Sequence, residues 1–322
     1  MMEQISLRRA PRIVIVGSLN MDLVVSAERM PRIGETIPGS SIHYVAGGKG
    51  ANQAVGCARL GADVQMVGAV GNDVFGQRIL SEMRQSGVNT DAIAILDDKA
   101  TGIAAITRTL DDNSIIIVPG ANAELTAERV RQYWSVIEQA DLLLVQLEIP
   151  LDAVKEALQL AREAGVATVL NPAPAQQLPT AILQLADYIT PNETEFAQLA
   201  EYAEAAGENV WIAALAAWEK TFAQKVVLTR GKQGAAIMLN GQLHTVQAPL
   251  VEVVDTTGAG DCLNAAFGFG LASGWDTVKS LRLAVKAASI SVRRFGAQAG
   301  MPTMSEIESA VDEGESSITS LL

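Results

Sequence analysis

Short runs of consecutive apolar residues recur along the chain, and longer segments with apolar residues at helical spacing separate them. Such runs are polar on neither face, which is typical of strands that helices cover on both sides. Segments 75–87 and 151–165 have helical spacing and end in a glycine, a common helix terminator. The alternation predicts an α/β fold, a doubly wound, mostly parallel sheet flanked by helices. The predicted strands are Arg12–Val16, Val64–Val70, Asp141–Leu147, Ala167–Leu170 and Lys225–Thr229.

Two stretches lack this alternation. Residues 20–45 and 101–118 contain strand-like segments without a helix between them, and the second has a turn at Asp111-Asp112-Asn113. Antiparallel strands set between the halves of an α/β sheet would form a small separate sheet, which we predict to be a lid. The predicted organisation is an α/β core of residues 12–19, 46–100 and 119–310, a discontinuous antiparallel lid of residues 20–45 and 101–118, and tails at 1–11 and 311–322.

Three further segments have clear local signals. Residues 235–246 predict a hairpin that turns at Asn240-Gly241, because Asn-Gly favours a two-residue turn. The alanine-rich segment 196–223 is predicted to be helical, and the segment after Met304 to be a weak, acidic helix.

Composition narrows the class of protein. The chain has 322 residues, 49% of them hydrophobic, so it can bury a large core, and we expect one large domain with a small appendage. The formal net charge of -12 argues against nucleic acid or an anionic membrane surface as partner, because both attract clustered Lys and Arg. A small phosphate ligand is compatible with this charge.

The cysteine and histidine content excludes two kinds of site. Two cysteines and two histidines are too few and too scattered for a disulfide framework or a zinc site. The N-terminal segment lacks the apolar run of a signal peptide, and no window has the ~20 apolar residues of a membrane span. We therefore expect a cytoplasmic protein.

The segment Asp255–Gly274 carries the sharpest chemical motif. Its Gly258-Ala259-Gly260 turn leads into a helix of small residues, so unpaired backbone N–H groups would converge on one spot and favour an anion. Asp261 follows directly, either as the helix N-cap or as a general base for a hydroxyl that attacks a phosphoryl group. The motif matches neither a nucleotide-binding P-loop nor a dinucleotide fingerprint.

Other polar clusters follow predicted strands. Within residues 45–62, Gly47, Gly48 and Gly50 lie beside Lys49, Asn52 and Gln53. This segment is either a polyol site or a purely structural turn into a helix. Asn20 and Asp22, Glu148, and Asn192 each follow an apolar run. Carboxyl ends of parallel strands line the ligand crevice of open α/β sheets. The alternatives are turn formation for Asn20 and Asp22, an exposed acid at Glu148 and a helix cap at Asn192.

Seven motifs together resemble the ribokinase-like (PfkB) family of carbohydrate kinases, over about residues 13–302. They are GSLNMD, GGKGANQA, LVQLE, LNPAPA, ITPNETE, LTRGKQG and DTTGAGD, in the family's order. The resemblance implies ATP-dependent phosphorylation of D-ribose at its 5-hydroxyl. The alternatives are a fructokinase-, deoxyribokinase- or adenosine kinase-like enzyme, and a sugar-binding regulator without turnover.

The resemblance also implies roles for individual residues. Asp261 would be the general base, and Gly258, Ala259 and Gly260 would form the anion hole for the γ-phosphate. The sugar would be held by Asn20, Asp22, Gly48, Lys49, Gly50, Ala51, Asn52 and Glu148. ATP would be held by Asn192, Thr229, Arg230, Gly231, Lys232, Gln233 and Gly234.

Two metal ions and a partner are implied in the same way. Glu195 would organise Mg²⁺ through water. A monovalent cation, K⁺, would be held by Asp255, Thr257, Ser291, Arg294, Gly296 and Gly300. Position 300 often carries Ser in the family, so Gly300 removes a hydroxyl from this site. Pairing of two lids would form a homodimer.

Overall fold

The computed structural model describes residues 9–109, 113–203 and 207–310, and strands and helices alternate within them. The strands are β1 (Arg12–Val16), β2 (Asn20–Ser26), β3 (Ser41–Gly47), β4 (Asp63–Gly71), β5 (Val88–Asn89), β6 (Ile93–Leu96), β7 (Gly102–Arg108), β8 (Asn113–Val118), β9 (Leu142–Val145), β10 (Ala167–Leu170), β11 (Tyr188–Ile189), β12 (Lys225–Thr229), β13 (Ala235–Leu239) and β14 (Gln242–Val246). The helices are α1 (Lys49–Arg59), α2 (Val74–Gln85), α3 (Ala127–Arg131), α4 (Trp134–Ile137), α5 (Leu151–Ala164), α6 (Thr180–Leu183), α7 (Glu193–Leu199), α8 (Glu208–Thr221), α9 (Ala259–Ala272), α10 (Thr277–Ser291), α11 (Ala297–Gly300) and α12, over residues 304–310.

The main sheet has the strand order β14-β13-β12-β11-β10-β9-β1-β4-β5, and β6 pairs with the far end of β4. Pairing is parallel from β12 through β5, and antiparallel pairs at β13 and β14 extend one edge. Strand β1 lies between β4, the next strand of this sheet along the chain, and the later strand β9. This reversal of order opens a crevice at the carboxyl ends of β1 and β9.

Alternate residues of each central strand contribute to two separate cores. Ile13 and Ile15 of β1 are fully buried with α1, α2, α9 and α10, whereas Val14 and Val16 face α3 to α8. Full burial of each such side chain contributes about 1.5–3 kcal/mol, so both faces of the strand favour apolar residues. The predicted doubly wound, mostly parallel sheet with helices on both faces is therefore confirmed.

A separate four-stranded sheet, the lid, has the order β3-β2-β7-β8. Its outer pairs, β2/β3 and β7/β8, are antiparallel as predicted, but the central pair β2/β7 is parallel. Both central strands begin beside the core, where Asn20 pairs with Gly102, and both run outward, so they point the same way. The predicted turn at Asp111-Asp112-Asn113 lies partly outside the described residues; Asn113 pairs with Arg108.

Local predictions fared differently. The hairpin turn at Asn240-Gly241 is confirmed, with left-handed φ values of 52° and 74°. Segment 196–223 belongs to two helices, α7 and α8, rather than one, and Glu201 between them is left-handed at φ 56°, which no α-helix accommodates. The helix predicted after Met304 is present as α12 as far as residue 310. Residues 204–206 and 311–322 lie outside the described part. No helix in the described ranges is long and apolar enough to cross a membrane.

Candidate active site

The crevice at the carboxyl ends of β1 and β9 is bounded by the first turn of α1. Gly48 precedes α1 with a left-handed φ of 88°, and a Cβ there would lie 2.8 Å from the backbone nitrogen of Asn20. Only glycine allows this approach. The backbone N–H groups of Gly50 and Ala51 donate to the hydroxyl and carbonyl oxygens of Ser18, at 3.4 and 2.9 Å. Helix α1 is thereby fixed against the end of β1.

Glu148 is held inside the crevice rather than exposed. Its Oε2 accepts hydrogen bonds from the Ser18 hydroxyl, at 2.5 Å, and from the Lys49 backbone N–H, at 3.1 Å. Ser18 is fully buried and was missed by sequence reasoning, although it lies inside the GSLNMD motif. The reading of Glu148 as a merely exposed acid is therefore wrong.

Asn20 is buried and oriented by a second asparagine. Asn122 donates from Nδ2 to the Asn20 Oδ1 at 2.8 Å, and it exchanges hydrogen bonds with the backbone of Leu19. Among the described residues, the Asn20 amide nitrogen has no acceptor, so it is available to a ligand hydroxyl. Asn122 belongs to no motif, and nothing in the sequence could have identified it.

Asp261 lies at the start of α9, with 7% of its surface exposed. The N-cap of α9 is Gly258, at a left-handed φ of 77°, so the interpretation of Asp261 as N-cap is wrong. Its two carboxylate oxygens accept from side-chain amides of α1, Oδ2 from Asn52 at 2.9 Å and Oδ1 from Gln53 at 3.1 Å. The acid is thereby fixed beside the glycine-rich segment.

Backbone donors converge beside this carboxylate. In the part of the chain that the structure describes, the N–H groups of Gly258, Gly260 and Asp261 have no acceptor, whereas the Ala259 N–H donates to the Thr256 carbonyl at 3.2 Å. Space for an incoming group is open next to Gly260. The end of α9 is therefore suited to an anion, by its free donors and by its helix dipole.

The charges in the crevice perturb one another. Burial, with the nearby Glu148 and Asp261, raises the pKa of Asp22 to about 7. Burial alone would lower the pKa of Lys49. The negative charges of Asp261, Glu148 and Glu195 have the larger combined effect and raise this pKa above its ordinary value. Lys49 is therefore the cation that balances a cluster of acids.

The predicted nucleotide segments meet at the ends of β11 and β12. Asn192 forms a β-bridge with Thr229, and it caps α7 through reciprocal hydrogen bonds with Glu195, at 2.8 and 2.9 Å. The helix-cap interpretation of Asn192 is confirmed. The guanidinium carbon of Arg230 lies 4.3 Å from the centre of the Trp211 ring. Gly231–Gln233, which include Lys232, form an exposed 3₁₀ turn that ends at Gly234. These residues line one surface.

The six residues assigned to K⁺ lie on two segments that Asp255 joins. Its carboxylate accepts from the Gly296 N–H at 2.9 Å and from the Thr257 N–H and hydroxyl at 3.0 and 2.7 Å. Burial would raise the pKa of Asp255, but these hydrogen bonds lower it. A Cβ at Gly300 would lie 2.6 Å from the Ser291 carbonyl oxygen, and Arg294 pairs with Glu306 through its side chain.

A cavity of about 390 Å³ lies between this segment and the lid. Its lining includes Asp22 and Val24 of β2, Ile115 of β8, and Asp255 and Phe295 of the core. The lid sheet therefore covers one side of the crevice.

The two cysteines are free and buried. Burial is the main cause that raises the pKa of Cys262 to about 12, and the same effect raises the pKa of Cys57. Neither thiol is suited to nucleophilic chemistry at neutral pH.

Comparison with known proteins agrees with this geometry. The model of the pfkB family of carbohydrate kinases matches residues 10–304. A ribokinase of Bacillus subtilis (strain 168) is 43% identical, over 92% of this chain and 98% of its own length, and one of Schizosaccharomyces pombe is 40% identical, over 92% and 96%. The structure of Arabidopsis thaliana ribokinase complexed with ribose and ATP has a TM-score of 0.87 and 34% identity, and the match covers 93% of this chain and 98% of that one. The resemblance deduced from the motifs is thus confirmed, and the chain belongs to the pfkB family of carbohydrate kinases.

Proposed function

We propose that this protein transfers the γ-phosphoryl group of ATP to the 5-hydroxyl of D-ribose, forming D-ribose 5-phosphate and ADP. One observation carries the proposal: the buried carboxylate of Asp261 lies between the free N–H groups at the start of α9 and the amide of Asn52 in the glycine-rich segment. The proposed base therefore lies next to both the proposed anion site and the proposed sugar site. The ribokinase relatives favour ribose as the sugar.

The sugar would lie in the crevice between β1, β2 and α1. Asn20 would donate its free amide, and Asp22, Asn52 and Glu148 would accept from or donate to ring hydroxyls. Gly48, Lys49, Gly50 and Ala51 shape the floor through their backbone, since α1 begins there. A preformed crevice of this kind would hold the 5-hydroxyl near Asp261 without reorganisation.

Asp261 would act as the general base. As the 5-hydroxyl oxygen attacks the γ-phosphorus, its proton moves to the Asp261 carboxylate and the bond from the γ-phosphorus to the bridging oxygen breaks, releasing ADP. The N–H groups of Gly258 and Gly260 would stabilise the charge on the transferred group, whereas the Ala259 N–H is already used by Thr256. A positioned base contributes about 10²–10⁴-fold to the rate.

ATP would lie along the ends of β11 and β12. Asn192 and Thr229 mark the base of this surface, and the Arg230 to Gly234 turn forms its wall. The stacking of Arg230 on Trp211 keeps its guanidinium group in place, beside Glu193 at 3.4 Å.

The residues around Glu195 fit a water-mediated Mg²⁺. Its Oε2 accepts from the Asn192 N–H, and burial is the main cause that raises its pKa. Mg²⁺ in phosphoryl-transfer sites needs one or two carboxylates beside the phosphates and water, so this single carboxylate suffices. When bound, Mg²⁺ would neutralise the charge that develops on the phosphate groups.

The residues around Asp255 fit K⁺. Asp255 joins residues 255–257 to residues 291–300, which brings the residues assigned to the ion into one region. A side chain at position 300 would contact the Ser291 carbonyl, and Gly300 leaves the proposed site without the hydroxyl that a serine would supply. When bound, K⁺ adds a positive charge beside the anion site.

A homodimer through the lid is supported by the outer face of the lid sheet. Several side chains on this face are exposed although apolar: Ile116 at 66%, Val118 at 51%, Ile42 at 50% and Val25 at 36%. An apolar sheet face of this kind is an interaction surface in soluble proteins. A cytoplasmic location is supported by the two free, buried cysteines.

The decisive test is release of ADP in a coupled assay, with ribose, deoxyribose, fructose and adenosine as acceptors. We expect the highest kcat/KM with ribose, stimulation by K⁺, and loss of about 10³-fold in kcat for Asp261→Asn with ribose binding retained. A much higher kcat/KM for another acceptor would assign a different kinase of the family. Unchanged kcat in Asp261→Asn would refute the assignment of the base.

A further inference from the structure

Gln53 lies next to Asn52 in α1, and its side chain is fully buried. Its Nε2 donates to the Asp261 Oδ1 at 3.1 Å and to the Asn171 Oδ1 at 3.2 Å. Its Oε1 accepts from the Nε2 of Gln146, at 2.7 Å. Both hydrogens and the oxygen of this amide are therefore used, and each partner comes from a different part of the chain.

The hydrogen bonds continue beyond Gln53 through buried groups. Asn171 donates from Nδ2 to the Thr190 carbonyl at 3.3 Å, and the Thr190 hydroxyl donates to the Asn264 Oδ1 at 2.5 Å. Asn264 in turn donates from Nδ2 to the Gly260 carbonyl at 2.9 Å. The chain of bonds thus starts on the carboxylate of Asp261 and returns to the backbone of the residue before it.

A purely structural role does not account for these residue types. Gln53, Gln146, Asn171, Thr190 and Asn264 are all at most 6% exposed. Burying polar side chains is costly unless every partner is in place, and apolar residues of the same shape would fill such a site at no loss of stability. Three of them, Gln146, Asn171 and Thr190, directly follow β9, β10 and β11. Together with Gln53 of α1 and Asn264 of α9 they form one network that links the Asp261 carboxylate to the Gly260 peptide group.

The geometry explains what such convergence achieves. A general base must direct a free lone pair at the substrate hydroxyl, within about 0.5 Å and 10–20° of the productive arrangement. The Asn52 amide donates to Oδ2 of Asp261, and the Gln53 amide donates to Oδ1. With both oxygens held, the carboxylate plane is fixed.

We propose that Gln53 is a positioning residue for the kinase reaction: it fixes the Asp261 carboxylate and, through Asn171, Thr190 and Asn264, couples the orientation of the base to that of the Gly260 peptide. The proposal rests on the proposed function, in which Asp261 is the base. It assigns to the second amide of the Asn52-Gln53 pair a role that needs no contact with sugar or ATP.

Gln53→Met tests the proposal, because Met matches the length and volume of Gln and cannot donate. We expect kcat to fall about 10- to 100-fold, the loss typical of a misplaced catalytic group, while the KM and the Kd for ribose change less than about two-fold. Gln146→Met, which removes only the donor to the Gln53 Oε1, should cause a smaller loss of kcat with the same unchanged KM. It serves as a second variant should Gln53→Met fold poorly.

A double-mutant comparison separates positioning from structure. In the Asp261→Asn background, where the base is absent, Gln53→Met should reduce residual kcat by less than about two-fold. A structural role would instead lower kcat by the same factor in both backgrounds, and this result would overturn the proposal. An unchanged kcat in Gln53→Met, together with a strongly reduced kcat in Asp261→Asn, would also overturn the proposal. Full activity of Asp261→Asn would instead refute the assignment of Asp261 as the base.

Discussion

Replacement of Asp22 by Asn is expected to stabilise the ligand-free protein above neutral pH. Asp22 lies on β2 at the edge of the crevice, largely withdrawn from water. Burial is the main cause that raises the pKa of its carboxyl group to about 7, and the charges of Glu148 and Asp261 add to it. The ionised form of Asp22 is therefore unfavourable in the folded protein, and an amide of the same shape removes that charge.

The size and sign of the effect follow from linkage. The ordinary pKa of Asp22 is 3.8, against about 7 in the folded protein. Each pKa unit corresponds to about 1.4 kcal/mol, so ionisation lowers the free energy of unfolding by at most about 4 kcal/mol. Because the folded-state pKa is the raised one, this loss is absent below about pH 4. It grows as the pH rises from about 4 to about 7 and is complete above that range.

Thermal unfolding of the ligand-free protein between pH 4.5 and 8.5 measures this effect. The Tm of Asp22→Asn should be close to that of the wild type at the acid end and exceed it by up to ~8 °C at pH 8, at about 2 °C per kcal/mol. Asp98→Asn, at an exposed carboxylate, is the matched control and should follow the wild type throughout. A difference between Asp22→Asn and the wild type that does not vary with pH would refute the reasoning.

Three further perturbations have defined outcomes. Gly258→Ala would place a Cβ 2.6 Å from that of Ala297, at a left-handed φ of 77°. We therefore expect kcat to fall about 10²-fold in steady-state kinetics and the free energy of unfolding to fall by about 1–2 kcal/mol in urea. Cys57 and Cys262 should resist iodoacetamide in the native protein and react after unfolding; mass spectrometry showing rapid native labelling would contradict their burial. Ile116→Lys should convert the proposed dimer to a monomer in light scattering, and a wild-type monomer at the same concentration would exclude the lid interface.

The buried core strands β1, β4, β9, β10 and β12 were predictable because their burial is local in the sequence, whereas β5, β6 and β11 were not predicted. The run Arg12–Val16 is apolar at four successive positions, and the structure buries all four. The central parallel pair of the lid was not predictable in the same way. Its direction depends on where β2 and β7 leave the core, which is a property of the whole fold rather than of either segment.

The candidate site divides along the same line. Residues that we propose to contact a ligand, such as Asp261 and Asn52, belong to motifs whose residue types suggest their chemistry. Residues that act through other residues carry no such signal: Gln53 and Asn171 lie inside quoted motifs but contact each other across 118 positions. Ser18 and Asn122 are similar, since their partners are determined only by folding.

The lid is continuous with the proposed sugar site, because its central strand β2 carries two of the residues that we assign to the sugar. Asn20 and Asp22 are the first and third residues of β2, and Gly47 at the end of β3 pairs with Asn20. A sugar that contacts these residues therefore contacts the same strand pair whose outer face would meet a second protomer. Thermodynamic reciprocity then requires that any effect of ribose on association equals the effect of association on ribose affinity. In a protein that dimerises through this face, enzyme concentration would then alter the affinity for ribose, since dilution and substrate would act on one equilibrium.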